Sequence, residues 1–302
     1  YDQIDKRAKV FFLDRSRKFN LIKMLKCASF ASDYDIVHVH MRHTWVYTKL
    51  ALLLSHKHQK LVFHDHYGDI SLDQNVPYRL KWPFRPDHYI AVSDDLKGWA
   101  RMRFEKKGTR IYKLQNTIIL SHIRSDKYSG DWILVSNLRS TKNLLFAIKL
   151  AYSMQRSLVI FGNHDGSHYA DRVIMEAQGS GNVKIVQNEA NVQQYLGNFT
   201  LAIHTSVSET GPLVLLEYMA NGLPFISSPT GDVVSQIKDV FPTLIADSFE
   251  IEEWVQKISA LEYMTKSDGK ELSSVLKKLF AEKFSQERYI EQCLKIYQNV
   301  LT

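Results

Sequence analysis

Two carboxylates eight residues apart, Glu209 and Glu217, stand in residues 206–229, SVSETGPLVLLEYMANGLPFISSP. Ser206 to Gly211 is small and polar, a turn composition. Leu213, Leu216, Tyr218 and Met219 recur at helical spacing until Gly222, and Pro224 opens a short strand, Phe225 to Ser227. Glu209 therefore lies in the loop before a helix, and Glu217 about two turns further on. A loop with Gly211 leading into a helix N-terminus presents free backbone N–H groups and a partial positive charge, which suits a phosphate. A nearby carboxylate suits sugar hydroxyls, because it accepts hydrogen bonds and donates none. Most glutamates are simply solvated. Against that reading, Glu217 stands among Leu215, Leu216 and Met219, a poor place for an idle charge.

Histidine is the other concentration of chemistry, at His38, His40, His43, His64 and His66. The spacing matches no zinc signature, and His38 and His40 leave one strand on the same face, so no metal is expected. No Gly-x-Ser-x-Gly or Walker-type loop occurs, which leaves hydrolase and NTPase readings without support. Cys27 and Cys293 read as buried thiols of a reducing compartment, not as a disulfide or a metal site. The cytoplasm is the expected location, including the inner face of the cell membrane.

The elements that must position these groups alternate. Strands are expected at Lys9–Leu13, Asp35–His40, Lys60–His64, Tyr89–Ser93 and Arg110–Leu114, with helices at Lys18–Ala31, Thr44–Ser55 and Asp94–Phe104. The first helix sets Phe19, Ile22, Met24 and Leu25 on one side and Lys18, Lys23 and Lys26 near the other. It is expected to pack on a sheet, with acidic lipid headgroups as the alternative. Ser121–Asp131 is polar and aperiodic, a linker. Strands then follow at Trp132–Ser136, Ser157–Gly162, Val183–Val186, Phe199–His204 and around Thr243–Ala246, with helices at Leu144–Gln155, Tyr169–Gln178 and Asn191–Leu196. Helices Ile251–Tyr263, Lys270–Lys283 and Gln286–Leu301 close the chain. This pattern predicts an α/β protein of two doubly wound parallel domains, 1–125 and 126–284, facing each other across a cleft. Ligands in such sheets bind beyond the C-terminal strand ends, where His40, His64, Ser93 and Asn116 stand.

A chain of 302 residues with 45% hydrophobic content is long enough for two domains. No apolar run approaches the roughly 20 residues of a membrane span, and the first residues lack the apolar core of a secretory signal. Residues 1–126 carry 23 Lys and Arg against 13 Asp and Glu, whereas residues 127–302 carry 16 against 19. The basic half suggests an anionic partner, for which nucleic acid and an anionic membrane surface are the candidates. Nucleic acid is disfavoured, because no basic surface motif interleaved with aromatics appears.

The stretch around Glu209 and Glu217 resembles the signature of the retaining glycosyltransferases of family four, which have a GT-B fold of two Rossmann-like domains and carry a Glu-x7-Glu motif. GPLVLLE followed by MANGLP matches a common variant, with Thr210 and Gly211 where an aromatic or glycine is usual. DIVHVH, VFHDHYGD, IAVSDDL, ILVSNLRSTKN, LVIFG and FSQERYIEQCLKIY fall in the family's order, so the resemblance spans nearly the whole chain. One departure is that nothing glycine-rich precedes Lys9. The resemblance implies transfer of a sugar from a UDP- or GDP-sugar to a hydroxyl of a glycan or lipid-linked acceptor, with retained configuration, in surface polysaccharide synthesis. No metal or other cofactor is expected if cations and helix N-termini supply the positive charge.

The same resemblance implies roles for particular residues. Lys142 and Asn137 stand where the family's diphosphate-binding Lys and Arg do, and Arg139 would supply the charge that Asn137 lacks. Glu217 would hold the ribose and Glu209 the transferred sugar, with backbone N–H groups of the Thr210, Gly211, Pro212, Leu213 segment on the diphosphate. His64 matches the active-site histidine, and His66 and Asp69 are candidates for the acceptor. Residues 285–302 would cross back onto the first domain. The same fold serves epimerases and phosphorylases, which the order of residues around Glu209 and Glu217 disfavours. The alternative of another class is a non-catalytic partner subunit, suggested by Asn137 and the missing glycine-rich loop.

Overall fold

The structure, a computed structural model, describes residues 5–14, 20–54, 59–68, 70, 73–121 and 123–302. Among these residues the strands form two parallel sheets. The first contains β1 (Ile36–His40), β2 (Lys60–Asp65), β3 (His88–Ala91) and β4 (Arg110–Lys113), hydrogen-bonded in that order. Its two central strands, β2 and β3, are mostly buried because both faces of the sheet are covered. One face packs Val39, Phe63 and Tyr89 against Trp45 of α2 (Arg42–Leu54) and Trp99 of α3 (Asp94–Phe104). The other packs Val62 and Ile90 against Ile296 and Val300 of the last helix, α9 (Gln286–Leu301). Register places His40 opposite His64, so the histidines gather at the C-terminal end of the α9 face.

The second sheet has the order β7-β6-β5-β8-β9, with β5 at Gly130–Val135, β6 at Leu158–Phe161, β7 at Val183–Val186, β8 at Phe199–His204 and β9 at Phe225–Ser227. Its direction of progression reverses at β5, which opens a crevice between the C-terminal ends of β5 and β8. Helices α4 (Leu144–Ser153), α5 (His168–Ser180), α6 (Leu213–Asn221), α7 (Asp232–Ile237) and α8 (Ile251–Phe284) surround it. Trp132, Tyr218, Phe225 and Trp254 are fully buried in one continuous core.

Several expectations need correction. Lys9–Leu13 forms no strand, because it joins neither sheet; Phe11 instead stacks on Phe30, with ring centroids 5.2 Å apart. The first helix, α1 (Leu21–Ala31), buries Met24, Ala28 and Ala31 and leaves Ile22 and Leu25 exposed. Its small alanines allow close approach to Tyr47, Ala51 and Leu52 of α2, which turns the longer apolar side chains outward. Lys18, Phe19 and Ser55 lie outside the described residues. The segment after Asn191 is a 3₁₀ helix, Val192–Asn198. Around Thr243–Ala246 there is a 3₁₀ turn, Pro242–Leu244, and a single bridge from Ser227 to Ile245. The two helices expected over 251–283 are both present, joined end to end as α8 with a kink at Asp268, whose φ of −135° and ψ of 30° are not helical. Cys27 and Cys293 form no disulfide, and both are half-buried rather than buried. No helix among the described residues is long and apolar enough to cross a membrane.

Candidate active site

The chain leaving β5 must lie tightly against the end of β6. A Cβ at Gly162 would come within 1.8 Å of the Ser136 carbonyl oxygen, so this approach requires glycine. That packing leads into a 3₁₀ turn, Ser140–Lys142. Val207 N donates to Thr141 O (2.8 Å) and Thr205 Oγ1 to Lys142 O (2.8 Å), which ties the turn to the loop after β8. Lys142 Nζ then meets Glu209 Oε1. Ser206 Oγ donates to the same oxygen at 2.9 Å, and His204 Nε2 lies 3.4 Å from it. Burial alone would raise the Glu209 carboxyl, but hydrogen bonding and charge from His204 and Lys142 outweigh it and hold the group at about 2. Among the described residues these contacts all fall on Oε1.

Glu217 is held differently. Its Oε1 accepts from Gln193 Nε2 at 3.2 Å, and Gln193 is fixed in turn by Ile119 O and Ser121 N. Burial pushes the carboxyl up, only partly offset by that hydrogen bond. Between the two glutamates, α6 starts at Leu213 after the N-cap Pro212, which has no side-chain acceptor, so the first-turn N–H groups donate to no capping side chain. Thr210 is buried, and Leu213 stands exposed at the helix start. Asn116 Nδ2 donates to Gly211 O at 3.0 Å, and a Cβ on Gly211 would come within 2.9 Å of that nitrogen. Ser208 Oγ donates to Gly68 O at 3.1 Å, and Lys113 and the Asp94 N–H both reach Asp232 Oδ1. The two domains are thus in contact beside the loop that carries Glu209.

Asn137 and Arg139 do not touch Glu209. Asn137 Oδ1 accepts from Asn163 N at 3.3 Å. The Arg139 side chain is 61% exposed, with its Nε 3.8 Å from Asp165 Oδ2.

On the first domain the β1–β2 register stacks four imidazoles with ring centroids 4.2 to 5.1 Å apart. His38 Nε2 lies 3.1 Å from His64 Nδ1, and His40 Nδ1 lies 2.9 Å from His66 Nε2. Burial, then the neighbouring imidazoles, lowers His38 to about 4 and His64 further, and burial lowers His40 and His66. His64 is 1% exposed, and its Nε2 has no hydrogen-bond partner among the described residues. Nitrogens of His38, His40 and His64 lie within 4.8 Å of one another, the group of described residues that could hold a metal. Asp65 is saturated by Arg42 and the Tyr89 hydroxyl. Asp69 lies outside the described residues.

Sequence reasoning brought together Lys142, Glu209 and the α6 N-terminus, but missed His204, Ser206 and Gln193. His204 had one visible signal, a polar residue ending the apolar run FTLAIH five positions before Glu209. Gln193 had none.

Two parallel sheets, each flanked by helices and in contact beside the loop that carries Glu209, have the two-domain arrangement of a GT-B fold. Residues 122–273 match the family model of glycosyl transferases group 1, and residues 2–121 that of glycosyltransferase family 4. The chain belongs to the glycosyl transferases group 1 family. Among solved structures it is similar to a glycosyltransferase from Rickettsia africae (16% identity, TM-score 0.71, 95% of this chain and 84% of that one). It is also similar to HepE from Anabaena in complex with UDP-glucose (16% identity, TM-score 0.75, 92% and 81%). A third is the lipopolysaccharide outer core galactosyltransferase WaaB (16%, TM-score 0.64, 92% and 80%). A comparison with curated protein sequences finds no match.

Proposed function

We propose that the protein transfers a hexosyl group from a UDP- or GDP-sugar to a hydroxyl of a glycan or lipid-linked acceptor in surface polysaccharide synthesis, retaining the anomeric configuration and using no metal. In this reaction the bond from C1 to the diphosphate oxygen breaks, the acceptor oxygen bonds to C1, and the acceptor proton leaves with the nucleoside diphosphate. The observation that carries this reading is the contact of Lys142 with Glu209 beside the uncapped start of α6. Lys142 and the first-turn N–H groups after Gly211 neutralise the departing diphosphate, the term that dominates such a barrier. Arg139, exposed and only loosely held by Asp165, turns in as the second cation. Glu217 accepts from the ribose hydroxyls, and Glu209 Oε2 from a hydroxyl of the sugar. His64 contacts the sugar, and His66 and Asp69 face the acceptor. The HepE complex with UDP-glucose supports a UDP-linked donor. The domains divide near residue 125, with α9 returning to the first.

The basic first half, with Leu21, Ile22 and Leu25 outward on α1 beside exposed Lys26, supports docking of a cytoplasmic enzyme on an anionic membrane that presents the acceptor. The second reading, a partner subunit without turnover, draws on the Asn137 side chain, whose Oδ1 accepts from the loop nitrogen Asn163 N. Hydrolysis of a panel of UDP-, GDP- and ADP-sugars separates them. Slow release from one donor is expected, and release from none would leave the partner subunit.

A further inference from the structure

Three elements far apart in sequence meet through one chain of polar contacts. Tyr297 of α9 places its hydroxyl 2.7 Å from His38 Nδ1 on β1, and His38 Nε2 lies 3.1 Å from His64 Nδ1 on β2. The chain ends at His64 Nε2, which is buried and lacks a partner among the described residues. A neutral imidazole carries one proton, so each contact fixes the next, and the chain can run in only two directions.

Acid–base chemistry chooses between them. An imidazole nitrogen is a far stronger acceptor than a phenol oxygen, and a phenol O–H is a stronger acid than a neutral imidazole N–H. Burial and the neighbouring Cys293 push the Tyr297 phenol up, so it keeps its proton. Burial keeps both imidazoles neutral near pH 7.

We propose that Tyr297 and His38 are positioning residues: Tyr297 O–H donates to His38 Nδ1, His38 Nε2–H donates to His64 Nδ1, and His64 is thereby held as the Nε2–H tautomer, a donor aimed at a hydroxyl oxygen of the transferred sugar. This rests on the reading of His64 given above. It also gives α9 a second task besides covering the sheet, since the helix that packs Ile296 and Val300 on Val62 and Ile90 carries the first donor of the relay.

Nitrogen-15 NMR of the full chain with labelled histidine tests the relay without any ligand, with His64 assigned by comparison with His64→Gln. The expected wild-type spectrum shows His64 protonated at Nε2, with the Nε2–H share falling in Tyr297→Phe and in His38→Leu. A wild-type Nδ1–H tautomer, or a share that neither substitution moves, overturns the relay. A bound metal would occupy the nitrogens of the His38–His64 contact, so a stoichiometric metal in the purified protein also overturns it. Kinetics use the sugar nucleotide turned over in the hydrolysis panel. Tyr297→Phe, which keeps the ring, is expected to lower kcat about tenfold with KM for the nucleotide unchanged. His38→Gln, whose amide can both accept and donate, should retain more turnover than His38→Leu. Unchanged turnover in His64→Gln overturns the sugar contact alone, because the tautomer is read separately.

Discussion

At the end of the first sheet, imidazoles meet one another and a phenol, with burial holding them neutral. At the end of the second, Lys142 meets Glu209, whose carboxyl is held low because pairing outweighs burial. Both ends project from parallel strands, yet they handle buried polarity in different ways. The neutral end is specified by where each proton sits, so it answers to shape and tautomer. The charged end is specified by compensation, so it answers to charge deletion and to acid. A transferase that must steady a departing diphosphate needs fixed charge on the donor side.

The strongest way to break the contrast is Lys142→Ala. Turnover, followed as nucleotide release, should fall on the order of a hundredfold or more. Next comes acid stability. Because Glu209 is held at about 2 from an ordinary 4.5, its contribution is present above pH 4.5 and is lost as pH falls toward 2. That contribution is on the order of 3 kcal/mol. Chemical denaturation across that window should show Glu209→Gln converging on wild type as pH drops; parallel curves would remove the pairing. Glu217→Ala should weaken UDP binding about tenfold by calorimetry, since a charged acceptor loses its hydroxyl partners. A smaller effect, about threefold on turnover, is expected for Arg139→Ala, whose present ion pair is long and exposed. Unchanged turnover for both Arg139→Ala and Lys142→Ala would take them out of the mechanism. The least effect is expected from EDTA, which should leave hydrolysis of the active sugar nucleotide unaltered.

What was legible followed local rules. The strand–helix alternation shows in period, and α3 appears with the expected bounds, Asp94–Phe104, where the structure adds that Ser93 Oγ caps it by accepting from Leu96 N. The Glu-x7-Glu spacing is readable within one short stretch, whereas Lys142 was singled out by the resemblance to family four. Lys9–Leu13 misled because β-forming residues make a strand only when a neighbouring strand is there to pair. The stripe of α1 misled because periodicity marks an apolar side without saying which residues the neighbour can approach; Ala28 and Ala31 let α2 in, and Ile22 and Leu25 were left outside.

The sequence by itself determined two α/β halves, their order of elements and the spacing of the carboxylate pair, since these depend on periodicity, caps and spacing within short stretches. Only the tertiary structure decided that Ser206 and His204 share one oxygen of Glu209, that Gln193 holds Glu217, and that Tyr297 reaches His38 across more than 250 residues. A hydrogen bond is directional and reaches about 3 Å. Whether two side chains make one depends on register and on where a distant helix comes to rest, and no local pattern carries that.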